Sequence, residues 1–348
     1  MPLLSIIIPH RNNGESLPRL LESIERQTFT DLEVLVVDDN SEQSCRPLVD
    51  ACKGRGLAIT LLENTTRIYT MKARLAGIYA AKGAIIGFAD ADDVLWGEEA
   101  LERNVRLFYE RQADILHFRT ALVDATGNFA AYTPEADPRH AQLAGKDILA
   151  AHVSSPHFWA ASSLWNKLFS RDLCLQAAAI ADGTRVKRLI EDIYLLILLM
   201  FHAERYVGSP HVGYGHYYVE SKKIAQAGEK ALYLYHALQE LPPYLEKNEC
   251  PRQTIAWCSH VLRQLLCLAV GHMTMLREWG NGTVTDAELD SFLVHGDAET
   301  LLKALLLGNS LIAVRLRGNK KVQNLSEMWY RNLAETLATQ GDFGLESP

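Results

Sequence analysis

The sequence contains no apolar run long enough to cross a membrane. A spanning helix needs about 20 predominantly apolar residues, and each apolar stretch of these 348 residues is interrupted sooner. The N-terminus has neither a basic segment ahead of its first apolar run nor a small-residue cleavage site. It is therefore expected to begin a strand and not a signal peptide. These absences predict a cytoplasmic protein.

Cysteine pairs and excess positive charge are also missing. Six cysteines are scattered along the chain, and no two of them form a Cys-x-x-Cys pair. This arrangement predicts reduced thiols and argues against a zinc site or a disulfide framework. The formal net charge is -7, which argues against nucleic acid as a partner.

The two common phosphate-binding loops are absent as well. No Gly-x-Gly-x-x-Gly follows the first predicted strand, and no Gly-x-x-x-x-Gly-Lys-Ser/Thr occurs anywhere. Both loops hold phosphates on backbone N–H groups. A nucleotide bound by this chain would therefore need its charge neutralised by a metal ion.

The most informative stretch that is present lies at residues 83–95. A short apolar run, 85–89, has the continuity of a buried parallel strand and breaks into Asp90, Asp92 and Asp93. Because side chains alternate along an extended chain, Asp90 and Asp92 are expected on one side. Carboxylates this close repel each other unless a cation lies between them, and a hard divalent cation is the usual solution. The alternative is that these aspartates only cap the next helix.

Strands and helices alternate through the first ninety residues. Apolar runs predict strands at 4–8, ended by Pro9, and at 32–37, 58–62 and 84–89, with helical patterns at 17–27, 45–54 and 70–81 between them. This order predicts a parallel sheet with ligands beyond the carboxyl ends of its strands. Three polar clusters fall at those ends: Pro9-His10-Arg11, Asp38-Asp39 and Asp90-Ala91-Asp92.

These blocks, in this order, resemble the family 2 glycosyltransferases with the GT-A fold. The resemblance rests on residues 6–12, 27–41, Ala73-Arg74 and 90–93, and continues downstream at 163–173, 190–196 and 214–218. It implies an α/β fold with a doubly wound, mainly parallel sheet over residues 1–225. Within this domain, 1–105 would be the nucleotide-sugar-binding half and 106–225 the acceptor-side half.

The resemblance also implies roles for single residues on the donor side. Asp39 would accept a hydrogen bond from the uracil imide N–H, a task suited to an acceptor-only carboxylate. Asp90 would face the ribose or a metal-bound water, and Asp92 would ligate Mn²⁺ or Mg²⁺. The other residues expected at the nucleotide-sugar site are Pro9, Arg11, Asp38, Arg74 and Ala91. For Asp38 a turn or helix cap is the alternative, and for Arg74 a solvated helix face.

On the acceptor side the resemblance implies that Asp192 is the general base and that Glu191 orients it. The alternative is a pair of acidic residues that favour the dipole at a helix start. Trp159 could stack on an acceptor sugar or pack in the core. Lys167 could contact phosphate or acceptor, or form a structural salt bridge.

Departures from the family pattern bear on the donor and the product. Arg11 stands where the family usually has Tyr, although a guanidinium also stacks on a planar base. A glycine and an asparagine that commonly flank the Ala-Arg pair are replaced near Tyr69 and at Leu75. The Gln-x-x-Arg-Trp motif of processive synthases is absent, which favours transfer of a single sugar.

Residues 226–348 read as an all-helical C-terminal domain without a catalytic signature. Helices are predicted at 232–241, 254–276, 286–293, 299–307 and 322–337, with Pro242-Pro243 as the first separator. Apolar stretches with basic residues at 301–307 and 312–317 leave three interpretations open. They could contact the inner face of a membrane peripherally, form a homodimer interface, or form the core of a small bundle.

The sequence as a whole predicts a metal-dependent inverting glycosyltransferase. It would move one sugar from a nucleotide-sugar, expected to be a UDP-sugar, to a hydroxyl of a glycan or lipid-linked acceptor. A sugar-phosphate nucleotidyltransferase is one alternative, but it would carry a Gly-rich basic loop where this chain has 9–12, Pro-His-Arg-Asn. The other alternative is a catalytically silent nucleotide-sugar-binding or scaffold protein.

Overall fold

A computed structural model describes residues 1–124, 126–155, 157–217 and 227–279. The chain divides into two compact units, of which the first comprises 1–220 and 236–261 and the second 221–235 and 262–348. The sequence-based boundary at 225 lies close to the first division, whereas 236–261 return to the first unit. All contacts discussed below lie within the first unit.

Ten strands of the described chain form one sheet. They are β1 Leu4–His10, β2 Leu32–Asp38, β3 Ile59–Glu63, β4 Ile85–Phe88, β5 Val94–Leu95, β6 Ile115–Val123, β7 Phe129–Tyr132, β8 Gln142–Ala144, β9 Lys167–Ser170 and β10 Arg205–Tyr217.

The helices that alternate with these strands are α1 Leu17–Glu25, α2 Arg46–Gly54, α3 Tyr69–Ala80, α4 Ala100–Glu110, α5 Lys146–Val153, α6 Phe158–Ala161, α7 Arg171–Ala181, α8 Glu191–His202, α9 Ala227–Lys247 and α10 Arg252–Trp279. The first four strands and three helices match the predicted order, with bounds shifted by one or two residues.

The sheet has a parallel half and a mixed half. Its order is β3-β2-β1-β4-β9-β6-β10-β5, with β7 beside β6 and β8 beside β10. Strands β3, β2, β1 and β4 are parallel, and the antiparallel β9 joins them to the parallel pair β6 and β10. The predicted α/β fold with a mainly parallel, doubly wound sheet is thereby confirmed for the described residues.

The parallel half is buried because both faces of its strands are covered. Every residue of β2 and β4 is buried, as are six of the seven residues of β1, the continuous apolar pattern expected of parallel strands. Helix α1 turns Leu17, Leu20, Leu21 and Ile24 inward at helical spacing. This packing fixes the strand ends, where the polar clusters lie.

Two proline predictions were wrong. Strand β1 does not end before Pro9 but continues to His10, with Pro9 paired opposite Val37. The pairing of β1 with β4 ends at Ile7, so Pro9 lies at a one-sided part of the strand, where a missing N–H donor is tolerated. Helix α9 continues through Pro242 and Pro243. Burial of Leu241 and Leu245 holds that helix together despite the lost donors.

The last three predicted helices, 286–293, 299–307 and 322–337, lie outside the described residues, as do the apolar stretches at 301–307 and 312–317. Within the described part of the chain, no helix combines the length and the hydrophobicity that a membrane span requires.

Candidate active site

A cavity of about 280 Å³ opens at the carboxyl ends of β1, β2 and β4. It brings together six of the eight residues predicted at the nucleotide-sugar site: Pro9, Arg11, Asp39, Asp90, Ala91 and Asp92. The structure adds to its wall His10, Asn13, Arg67, Tyr69, Thr70, Ala73 and Arg188. Asp38 and Arg74 lie behind this wall.

Asp39 follows β2 and anchors the start of α3. Its carboxylate accepts the backbone N–H of Ile68 and, at 3.0 Å from Oδ2, that of Tyr69. A carboxylate has about four lone-pair positions, so these two bonds leave acceptor capacity. Asp39 can therefore bind an N–H donor in the cavity while fixing the chain beside it.

Asp38 points away from the cavity and closes the turn after β2. Its carboxylate accepts the Ser41 hydroxyl and, at 3.2 Å, the Ser41 backbone N–H. It is buried, and Nε2 of His10 lies 4.0 Å from its Oδ1. This geometry matches the turn that the sequence analysis left open for Asp38.

A buried arginine connects the two predicted halves of the site. Arg74 is only 4% exposed; its Nη2 donates to Asp90 Oδ1 at 3.1 Å and its Nη1 donates to Glu191. Burial opposes the charge of Arg74, but attraction to Glu191, Asp90 and Asp192 outweighs it and raises the pKa of the guanidinium. Arg74 is thus a charged interior residue and not part of a solvated helix face.

The two carboxylates that hold Arg74 respond to the same surroundings. Burial raises the pKa of Asp90 and of Glu191, and the charge of Arg74 opposes that rise in both. Asp192 follows Glu191 in the first turn of α8 and is partly exposed. Glu191 and Asp192, the pair predicted to activate the acceptor, therefore lie beside Arg74. Arg74 in turn contacts the carboxylate of Asp90.

Asp92 is the exposed carboxylate of the acidic stretch. Its side chain lines the cavity, and its backbone carbonyl accepts a hydrogen bond of 2.7 Å from Arg19 Nη2. The Arg19 guanidinium also lies over the ring of Tyr217, 3.6 Å from its centroid. Arg19, on α1, therefore ties the acidic loop to the end of β10.

Asp93 faces β10 and not the cavity. It is 1% exposed and accepts the Tyr214 hydroxyl at 2.9 Å, the Tyr217 backbone N–H at 2.9 Å and His216 Nδ1 at 3.1 Å. Burial raises the pKa of Asp93 to about 6, against the hydrogen bond from His216. Trp165 stacks on the rings of Tyr214 and His216. Asp93 therefore supports the loop that presents Asp90 and Asp92.

Lys167 is buried within the fold. Its Nζ donates to the Ala161 and Ser163 carbonyls and to Asn166 Oδ1, at 2.8, 2.6 and 2.7 Å, and burial lowers the pKa of Lys167 well below its ordinary value. The amino group thus bonds inside the fold, which argues against contact with phosphate or with an acceptor substrate. Trp159 lies in α6, and its side chain is outside the described part of the structure.

Two groups of residues offer ligands to a metal ion. Asp90 and Asp92 present carboxylate oxygens to the cavity, the ligands that Mn²⁺ and Mg²⁺ prefer. Within the described residues, a second group comprises His10, Asp38 and Cys45, all buried, with ligand atoms within 4.8 Å of one another. Burial raises the pKa of the Cys45 thiol to about 11. The sequence analysis placed His10 and Asp38 at the same edge of the sheet but missed Cys45, which lies at the start of α2.

Sequence reasoning also missed part of the cavity wall. Arg67 and Tyr69 come from the start of α3, and Arg188 comes from the segment before α8. A basic triplet, Arg185, Lys187 and Arg188, directly ahead of Glu191-Asp192 was the available signal. The triplet lies more than 100 residues after α3. The sequence does not show that the two segments reach the same cavity, so the signal could not be interpreted.

Residues 5–166 match the family described as Glycosyl transferase family 2. Among curated proteins, the chain is 28% identical over 148 residues to the glycosyltransferase GlyG of Streptococcus pneumoniae, covering 42% of this chain and 49% of GlyG. It is 28% identical over 176 residues to a GalNAc(5)-diNAcBac-PP-undecaprenol beta-1,3-glucosyltransferase of Campylobacter jejuni, covering 49% and 56%. The chain thus spans about half the length of these relatives.

Solved structures of low sequence identity have a similar fold. TarS 1-349 of S. aureus has a TM-score of 0.59 at 17% identity and covers 95% of this chain and 92% of its own; it has also been solved with UDP-GlcNAc. The mannosyltransferase PcManGT of Pyrobaculum calidifontis, in complex with GDP-Man and Mn²⁺, has a TM-score of 0.53 at 16% identity and covers 93% and 84%.

Proposed function

We propose that the chain is a metal-dependent inverting glycosyltransferase, because residues 5–166 match the family described as Glycosyl transferase family 2. It transfers one sugar from a nucleotide-sugar to a hydroxyl of a glycan or lipid-linked acceptor. One observation carries this proposal: Arg74 connects Asp90 at the cavity to Glu191, the neighbour of Asp192. A single buried network therefore links the donor side to the base that would activate the acceptor.

A UDP-sugar is the donor that the site supports best. Asp39 keeps acceptor capacity for an imide N–H, and Arg11, which lines the same cavity, offers a flat guanidinium to a planar base. The structural similarity to TarS, which has been solved with UDP and with UDP-GlcNAc, supports the same donor class. GDP-sugars are the second candidate, because PcManGT was solved with GDP-Man.

The residues at the cavity fit a hard divalent cation. The carboxylate of Asp92 is exposed to the cavity, and no described side chain donates a hydrogen bond to it. Asp90 retains one carboxylate oxygen beyond the one bound by Arg74. When bound at Asp92 and Asp90, Mn²⁺ or Mg²⁺ would supply Lewis-acid stabilisation of the departing diphosphate.

The residues of the chain then divide the remaining work. Asp192 accepts the proton of the attacking acceptor hydroxyl, and direct displacement from the opposite face inverts the sugar carbon. Glu191 holds Arg74, whose guanidinium charge is also attracted to Asp192. A positioned general base contributes about 100- to 10,000-fold to a rate.

Replacement of the base tests this assignment. Asp192→Asn is expected to lower kcat by about 100- to 10,000-fold while nucleotide affinity stays within about twofold. Asp172→Asn is the matched control, because Asp172 is an exposed aspartate in the first turn of α7 and loses the same interaction with the helix dipole. Equal activity in both variants would remove Asp192 from the mechanism.

The class of reaction is tested with a donor panel. Release of nucleoside diphosphate is measured from UDP-, GDP- and other nucleotide-sugars, with and without Mn²⁺, for the wild type and Asp92→Ala. We expect the wild type to hydrolyse a UDP-sugar slowly and only with Mn²⁺, and we expect Asp92→Ala to show no such hydrolysis. Metal-dependent nucleotide binding without turnover on any acceptor would favour the catalytically silent binding protein instead. If the chain binds no nucleotide at all, the proposal is overturned. Membrane contact and dimer formation through the C-terminal helices stay predictions.

A further inference from the structure

Tyr69 occupies a backbone conformation that disfavours its own side chain. It begins α3 with a φ of 66°, in the left-handed region that glycine adopts readily and that is a genuine outlier for a bulky residue. Such strain persists only where the surroundings impose it, and it is concentrated at ligand sites. The position therefore keeps an aromatic ring at a cost in stability.

Contacts on both sides impose this conformation. Asp39 accepts the backbone N–H groups of Ile68 and Tyr69. Two residues later, the N–H of Met71 donates to the carbonyl of Lys187 at 2.8 Å. These bonds bring the segment before α8 against the start of α3 and direct Tyr69 toward the cavity that it lines.

Three cationic side chains surround the Tyr69 ring. Arg67, Lys187 and Arg188 place their charged atoms 4.5, 5.2 and 5.8 Å from its centroid. Arg67 and Arg188 also line the cavity. Among the described residues, neither Arg67 nor Lys187 forms a salt bridge, and both are exposed. Attraction to one ring only partly offsets the repulsion between three like charges.

We propose that Tyr69, Arg67, Lys187 and Arg188 form an anion-binding surface, the Tyr69 wall, that binds a phosphate group without help from a metal ion. The inference rests on the proposed function for the identity of the cavity as a nucleotide-sugar site. The phosphate belongs either to the diphosphate of the donor or to a phosphorylated acceptor. In both cases guanidinium and ammonium donors meet phosphate oxygens, and the ring holds the donors in place.

Binding without metal is the direct test. Uridine, UMP and UDP are titrated calorimetrically into the full-length chain in EDTA. For the wild type, UDP is expected to bind at least tenfold more tightly than uridine. The double variant Arg67→Gln/Lys187→Gln should lose most of that difference and leave uridine affinity unchanged. Arg185→Gln is the matched control, because Arg185 belongs to the same basic triplet but pairs with Glu240; it should keep the difference.

Substitution of Tyr69 separates a binding role from a structural one. Tyr69→Gly relieves the backbone strain, so its Tm should equal or exceed that of the wild type while its preference for UDP over uridine falls about tenfold. Tyr69→Phe keeps the ring and should retain the preference. A lower Tm together with unchanged UDP affinity in Tyr69→Gly would overturn the proposal, as would equal affinity of the wild type for uridine and UDP in EDTA.

Inorganic pyrophosphate distinguishes the two sources of the phosphate. If it binds the wild type already saturated with UDP, and the double variant does not bind it, the wall serves a phosphorylated acceptor. If it competes with UDP, the wall serves the donor. The proposed function fails separately: pyrophosphate binding without affinity for any nucleotide would leave the wall standing and remove the glycosyltransferase assignment. Mn²⁺-dependent turnover of a UDP-sugar with unaltered UDP binding in the wall variants would support the glycosyltransferase assignment and overturn the wall.

Discussion

At the residue scale, arginines determine how the acidic loop is presented. Arg74 holds Asp90 from the interior, and Arg19 holds the backbone of Asp92 from α1. Arg19 bonds the backbone of Asp92 and not its carboxylate. It would therefore affect a metal ion only by fixing the position of Asp92. Loss of a hydrogen bond from a charged donor typically costs about 1.5–3 kcal/mol.

Arg19→Gln is therefore expected to weaken metal binding. The apparent affinity for Mn²⁺ in the presence of UDP should fall about tenfold, the equivalent of about 1.4 kcal/mol, because Asp92 loses its fixed position. Arg26→Gln is the control: Arg26 follows the same helix but forms an exposed pair with Glu22, which is worth little. Calorimetry with Mn²⁺ measures both variants. Unchanged Mn²⁺ affinity in Arg19→Gln would show that Asp92 is positioned without Arg19.

Single residues could be predicted where a strand end alone decided their place. Asp39, Asp90 and Asp92 follow directly from the apolar runs before them, and all three line the cavity. Lys167 could not be assigned in this way, because its neighbours are carbonyls presented by a turn. Tyr69 drew attention only as a departure from a family pattern, and its strain is a property of φ that composition does not reveal.

At the scale of elements, α3 packs against β1 at unusually short range. A Cβ added to Gly77 would lie 2.4 Å from Cγ2 of Ile7, so the helix can approach the strand only because residue 77 is glycine. Arg74 lies one turn earlier on the same helix. The close approach therefore also sets how deep the guanidinium reaches.

Gly77→Ala is expected to destabilise the fold by about 1–3 kcal/mol, the usual cost of overpacking a core, in spite of the higher helix propensity of alanine. Gly54→Ala is the control, since a Cβ at residue 54, the last of α2, meets no atom within 4 Å. Urea denaturation followed by circular dichroism measures both. If Gly77→Ala proves as stable as the wild type, the spacing of α3 and β1 is not limited by this contact.

Helices and strands of the first half were predictable because their hydrophobic periods are regular. The four predicted strands and the three predicted helices all exist. Along this part of the chain, continuous apolar runs alternate with segments whose apolar residues recur at helical spacing. The prolines misled the prediction because a local rule was applied to residues whose neighbours decide the outcome. Leu241 and Leu245, both buried, keep α9 continuous past Pro242.

At the scale of the whole molecule, buried neutral histidines make the second half of the sheet sensitive to acid. Burial lowers the pKa of His152 to about 4 and lowers that of His117 well below its ordinary value. Both pack against Tyr206 on β10. Below pH 6.5 these two histidines bind protons in the unfolded chain but not in the folded chain. Their contribution to stability is therefore present at and above pH 6.5 and is lost as the pH falls toward 4.

The two histidines should therefore lower the free energy of unfolding between pH 6.5 and 4.5, by up to about 1.4 kcal/mol per pH unit each. The raised pKa values of Asp90, Asp93 and Glu191 contribute with the opposite sign over this range, so the test compares variants with the wild type. His152→Gln should be less stable than the wild type at pH 7.5 and lose less stability between pH 6.5 and 4.5. His260→Gln, at an exposed position, should follow the pH dependence of the wild type. Urea denaturation at several pH values checks this, and an unchanged slope in His152→Gln would show that another group dominates acid unfolding.

The mixed half of the sheet shows where sequence reasoning ends. Strand β9 lies between β4 and β6, although about eighty residues separate it from β4 along the chain. Its four residues, 167–170, pair antiparallel with both neighbours. Such pairing is specified by long-range packing, which no local period encodes. The predicted acceptor-side half, which contains these strands, was accordingly reached only through family resemblance.

The bridge made by Arg74 also has a consequence for synthesis on the ribosome. Its two anionic partners lie 16 and 117 positions away along the chain, so a nascent polypeptide carries Arg74 and Asp90 long before Glu191 emerges. Until then a guanidinium destined for the interior lacks half of its neutralisation, and an uncompensated buried charge costs several kcal/mol. The cavity should therefore reach its final form only after α8 is translated. Under the proposed function, this order would prevent the chain from holding an activated sugar before Asp192 is present.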